Sequence, residues 1–197
     1  STEDTHSYNT AIGTYSLLSL NAGADGYNTA VGYNTGTAMT TGIQNTIMGA
    51  MAGDALTTGS DNVALGYAAL SAEDTGGRSI AIGRAALLSQ NNNSNNYNVA
   101  VGYNAGLNVS TGIQNIAIGG LSMDALTTGS SNVAIGYASM GSANGSEGRN
   151  TAIGHQALFA MDADGNNYNT AVGYNAGAEI TSGVQNTIIG SLAGDAM

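Results

Sequence analysis

The chain has no cysteine, proline, lysine or tryptophan, and one phenylalanine in 197 residues. Without cysteine there is neither a disulfide framework nor a thiolate metal site. Its basic residues are Arg78, Arg84 and Arg149; set against 13 acidic residues they leave a formal charge of −10. That balance disfavours nucleic acid and anionic membranes as partners. No apolar run approaches the ~20 residues of a membrane helix, so no membrane insertion is expected. The opening Ser1-Thr2-Glu3-Asp4 has no signal-peptide character. Both ends look cut from a longer array, and residues 1–197 read as a single repeat domain with no internal boundary.

What the chain has instead is glycine, 30 of them, in strict order. The pentapeptide Asn28-Thr29-Ala30-Val31-Gly32 recurs in eleven near-copies, ending at glycines from Gly13 to Gly190 spaced 17, 18 or 19 residues apart. Asparagine leads every copy except the one led by Ser79, alanine stands third except at Ile47 and Ile188, and the fourth residue is aliphatic or methionine. Three residues past each glycine comes a small residue, such as Thr35, Ala105 or Ser139. A second order lies above this one. Gly13 and Gly83, Gly32 and Gly102, Gly49 and Gly119, and Gly66 and Gly136 are each 70 apart, so a four-rung cassette has been duplicated.

A fixed period of this length predicts a solenoid. The expected fold is all-β: a parallel β-solenoid of eleven rungs, each of 17–19 residues, with two principal strands per rung. By the two-residue period of a strand, Thr29 and Val31 share one face while Ala30 and Gly32 share the other. The β-branched column of Val63, Val99, Ile116 and Val133 is expected to line the interior, leaving a flat Ala/Gly face outside. A second strand is expected over residues 33–39. The Gly42, Gly59, Gly112, Gly129 and Gly183 corners are expected to supply positive φ. Segments such as 85–88 and 156–161 look helical alone, but their column positions say strand or turn. Stacked asparagine amides are expected to form a ladder with a weak point at Ser79. So thin a core seldom outweighs chain entropy alone, which favours association of several coils through the flat faces, near Ala30, Ala100 and Ala134.

The pattern of Asn132-Val133-Ala134-Ile135-Gly136-Tyr137-Ala138-Ser139 resembles the head repeats of trimeric autotransporter adhesins. The phrase Tyr-Asn-Thr-Ala-Val-Gly-Tyr-Asn, at 27–34 and 168–175 with Thr-Thr-Gly turns nearby, is still more similar to tail-fibre and spike repeats of bacteriophages. The resemblance implies left-handed β-rolls and a homotrimer. It also implies a fibre segment on the virion, with a bacterial surface-adhesin head as the alternative. It is specific for architecture and says little about a ligand.

Little in the chain suggests chemistry. His6 and His155 are about eight rungs apart and cannot share a site, and His155 falls in the column of Tyr137 and Tyr174. Asp162-Ala163-Asp164-Gly165-Asn166 begins like a calcium loop, but its twelfth position is Gly173 rather than glutamate. Asp54, Asp124 and Asp195 recur four rungs apart and read as solvated edge residues. The chain is therefore read as a non-enzyme, with no cofactor and no metal site. Its ten tyrosines fall mostly in two columns, before the asparagine and after the glycine, suited to packing at a seam or to stacking on sugar rings. The enlarged corners at 91–96 and 162–167, with the tyrosines beside them, are the candidate contacts for a host glycan or receptor: Asn93, Asn95, Tyr97, Asp164, Asn166 and Tyr168. A threonine face for ice binding is a minor alternative, interrupted where Thr10, Thr29 and Thr46 give way to Val63 and Ile80.

Overall fold

The structure, a computed structural model, describes residues 8–23 and 25–194. It is a parallel β-solenoid of eleven turns, and no helix occurs among the described residues. Each pentapeptide contributes one strand of three residues, from Thr10–Ile12 to Thr187–Ile189. All eleven lie in one sheet in chain order, every strand paired in parallel with the next. Register follows the repeat: Ala30 pairs Ile47, Ala100 pairs Ala117, and Ala134 pairs Ala152.

The expected orientation of the strands is inverted. Ala30, Ala64, Ala100, Ala134 and Ala171 are wholly buried, while the β-branched residues on either side are half-buried or exposed. The reason is space. A coil this narrow brings the sheet almost onto the opposite wall, so alanine fills most positions beneath the strand. The larger Ile47 and Ile188 are buried there on rungs whose wall carries glycine, at Gly53 and Gly194. The bulk of the core comes from that wall, four and seven residues past each glycine: Leu17 and Leu20, Met123 and Leu126, Leu158 and Met161. Where the first of these is glycine, as at Gly36 and Gly53, the second is Met39 or Leu56.

The second expected strand is also absent. After the glycine the chain turns repeatedly, with positive φ at alternate residues: Gly66, Ala68 and Leu70, or Gly83, Ala85 and Leu87. This left-handed conformation costs a non-glycine residue roughly 1–2 kcal/mol. Stacking repays it with backbone bonds between rungs. Asn104 N donates to Arg84 O on the rung before, and Gly106 N to Ser122 O on the rung after. Positive φ recurs at the residue before each asparagine and before Ser79, at Gln44, Arg78, Gln114 and Arg149 among others. The corner glycines expected to need it do not have it. Gly42 is required by close approach instead, since a Cβ there would lie 2.5 Å from Gly59 O.

The asparagine column forms as expected, but mainly as an amide-to-backbone ladder. Each side-chain carbonyl accepts the N–H of the next asparagine: Asn45 N to Asn28 Oδ1 at 2.9 Å, Asn132 N to Asn115 Oδ1 at 3.0 Å. Most of the amides donate to a corner carbonyl, as Asn45 Nδ2 does to Gly59 O and Asn115 Nδ2 to Gly129 O, while Asn150 Nδ2 donates to Asn167 Oδ1. At Ser79 the expected weak point is filled. Gln90 Nε2 donates to Ser79 Oγ, and Gln90 Oε1 accepts from Asn98 Nδ2 at 2.8 Å.

Beside this repair lies a buried carboxylate. Glu73 Oε1 accepts from Gly76 N at 2.7 Å, and Oε2 accepts from Gln90 Nε2 and Asn96 Nδ2 at 3.0 and 2.9 Å. In the second cassette Ala143 takes the place of Glu73, and Glu147 takes that of Gly76. Glu147 is also buried, and its Oε2 accepts from Gly145 N at 2.9 Å. The two carboxylates reach one corner from opposite sides, because a Cβ on Gly76 would sit 2.6 Å from Glu73 Oε1. Burial pushes both carboxyls above their ordinary range; the hydrogen bonds offset this in part.

Candidate functional site

The six residues expected to meet a ligand form two equivalent exposed clusters, about four rungs or ~19 Å apart. In the first, Asn93 Oδ1 accepts from Thr75 Oγ1 at 2.9 Å and Asn95 makes a parallel bridge to Gly77. Tyr97 completes it, its hydroxyl accepting from Arg78 Nη1 at 2.7 Å while the guanidinium lies 5.6 Å from the ring centre. In the second, Asp164 Oδ1 accepts from the Ser146 hydroxyl at 3.1 Å and Asn166 bridges to Gly148. Tyr168 repeats the arginine contact with Arg149, at 2.5 Å and 5.5 Å. The enlarged corners therefore continue the rung-to-rung bonding instead of hanging free. Arg78 also faces Asp61 at 3.6 Å across exposed surface, a pair of little energetic weight.

Sequence reasoning missed both arginines, although each stands in the column of Tyr27, Tyr97 and Tyr168. All three basic residues of the chain in fact lie over tyrosine rings. Arg84 occupies the other column, between Tyr67 and Tyr103, 5.7 and 5.5 Å from their centres. One cassette on, His155 is stacked between Tyr137 and Tyr174 at 5.4 and 5.2 Å. The expected column place of His155 is thus confirmed, and the stacking runs along the column from rung to rung. They nevertheless remain about half exposed, Tyr137 and Tyr174 at 52% each.

For acid–base or metal chemistry the arrangement offers little. Among the described residues no three histidine, aspartate or glutamate side chains gather as a metal site. Asp54 accepts from Ser71 Oγ and is partly buried, and Asp124 is partly buried with its carboxyl pushed up by that burial, so these two are not the freely solvated edge residues expected. His6 and Asp195 lie outside the described residues. A recess of about 270 Å³ opens at the last described corner, lined by Ile180, Thr181, Ser182, Gly183 and Asn186. Among the described residues no helix is long and apolar enough to cross a membrane. No family model, curated protein or solved structure matches the chain.

Proposed function

We propose that the chain is a non-enzymatic fibre segment of the phage tail-fibre or spike kind, a rigid extracellular spacer that also contacts host-surface glycans through its corner loops. One observation carries this reading: the uninterrupted eleven-strand stack presents an outer sheet face without a single charge. Each strand sends two side chains outward, and all are Thr, Val, Ile, Leu or Met, in a chain of net charge −10. Ile12, Met48, Ile80, Ile118, Ile153 and Ile189 on this face are well exposed.

A smooth apolar strip the length of the coil suits association with copies of itself, each rung meeting the same rung of its neighbour. We place the homotrimer interface on this face, not on the alanine face, which the core consumes. The resulting rod is roughly 50 Å long at ~4.8 Å per rung, with the corner loops and tyrosine columns left for contact. An adhesin head built on the same roll shares these features, and the sequence flanking the array separates the two. Mass photometry tests assembly: a species three times 19.5 kDa is expected, and a soluble monomer of 19.5 kDa overturns it. A glycan array with the assembled protein tests attachment. Silence reduces the role to that of a spacer, and hydrolysis of any glycan refutes the non-enzyme reading.

A further inference from the structure

In the column that follows the rung glycine, tyrosine occupies every second rung from Tyr33 to Tyr174. The rungs between them alternate in kind. Arg84 fills the gap between Tyr67 and Tyr103, and His155 the gap between Tyr137 and Tyr174. The other two gaps hold Ala50, between Tyr33 and Tyr67, and Gly120, between Tyr103 and Tyr137, residues too short to reach between the rings themselves.

We infer that the gaps at Ala50 and Gly120 are binding slots for flat cationic groups, above all the guanidinium of an arginine on an extended partner polypeptide. The filled gaps show what such a slot accepts. Rings two rungs apart are separated by roughly 10 Å, which puts one flat group about 5 Å from each. Arg84 and His155 adopt that spacing, at 5.2 to 5.7 Å. The flanking rings are half exposed, with Tyr33 at 52% and Tyr103 at 54%. The floor at Gly120 is open, since a Cβ there would meet nothing nearer than Tyr137 Cδ2 at 3.6 Å.

Charge selects the ligand class. Ring faces attract cations, the chain carries −10 overall, and the two slot-bearing rungs also carry Asp54 and Asp124. The slots are one cassette apart, four rungs or ~19 Å, which is the reach of about six residues of extended chain. One polypeptide can therefore fill both, and the second contact gains from the first by effective concentration. This surface is distinct from the corner loops and does not depend on their binding glycan.

The test is fluorescence polarisation of a labelled extended peptide, with arginines six residues apart, against the whole 197-residue chain. Saturable binding is expected. It should weaken about tenfold when both arginines become citrulline, which is as flat but uncharged. The Gly120→Arg and Ala50→Arg variants plug the slots from within, as Arg84 does, and together should weaken binding at least as much; circular dichroism verifies that they fold. Arg84→Gly opens a further slot and should tighten binding. The inference fails if the peptide does not saturate at millimolar concentration, or if the plugged variant binds it unchanged. It fails equally if citrulline peptide binds as well, or if a neutral oligosaccharide such as maltoheptaose displaces the peptide from the slots.

Discussion

Gln90 Nε2 stands 2.9 Å from Ser79 Oγ, and this bond bridges the one position where the asparagine column lacks an amide. Gln90 reaches that place from eleven residues further along the same rung, and it also holds Glu73 and Asn98. Replacing it with leucine should leave buried polar groups short of partners and cost roughly 1–3 kcal/mol per chain. Rungs couple mainly to their neighbours, so the damage should be local. Hydrogen exchange should rise between residues 73 and 98 and stay unchanged beyond residue 130; a uniform rise would refute the local repair.

Glu73 and Glu147 set a pH dependence whose sign follows from burial. Both carboxyls are raised in the folded state above the ordinary glutamate value, so between that value and their folded pKa the native state holds protons the unfolded chain has released. Their contribution is present below the unfolded value and is lost as pH rises through the folded one. Urea denaturation should therefore find the protein more stable near pH 5 than at pH 7. Glu147→Gln should flatten the curve, and an unaltered slope would assign the effect to the general acidity of the surface.

Adjacent glycines should respond oppositely. Gly119 has φ +130, and a Cβ on it would lie 2.4 Å from Gly136 O, whereas Gly120 has room. Gly119→Ala should abolish cooperative folding of its rungs, while Gly120→Ala should shift stability by less than about 0.5 kcal/mol. Melting curves of the two variants decide this.

The inverted strand faces are tested by truncation. Leu126 is wholly buried, and Leu126→Ala should cost about 2–5 kcal/mol. Asn93 is exposed and held by one hydroxyl, so Asn93→Ala should cost almost nothing. Ala134→Leu should overpack the narrow space under the strand by about 1–3 kcal/mol. Tolerance of leucine at Ala134 would restore the interior to the β-branched column.

The outer sheet face is tested by charge. Ile116→Lys with Val133→Lys places two ammonium groups on neighbouring rungs of the apolar strip while leaving the core untouched. The expected result is a folded monomer of 19.5 kDa by mass photometry. An unchanged trimer would move the interface elsewhere.

The period, the parallel stacking and the asparagine ladder were legible in the sequence, because each depends on recurrence alone. The facing of the strands was not. Bulky β-branched residues usually point inward, but where the wall opposite carries a large side chain such as Leu126, Met140 or Leu158, the strand offers alanine. The left-handed columns were equally hidden. Glycine advertises positive φ, but Gln114, Arg149 and Leu87 adopt it under the rung-to-rung hydrogen bonds. In the candidate contact clusters, the tyrosines were found and their arginine partners were not, although column position alone would have paired them.

The exchanged carboxylates constrain how the gene can change. Tandem cassettes invite unequal recombination, and most crossovers between these two would return a working array because their columns match. A crossover falling between positions 73 and 76 would not. Joining the first cassette through Asp74 to the second from Gly145 gives a product with both Glu73 and Glu147, and so two like charges in one dry corner. The reciprocal product has neither, and leaves the backbone N–H and the Asn96 amide without their acceptor. That short interval is therefore a barrier to cassette shuffling, and length variants of this array should carry their junctions outside it.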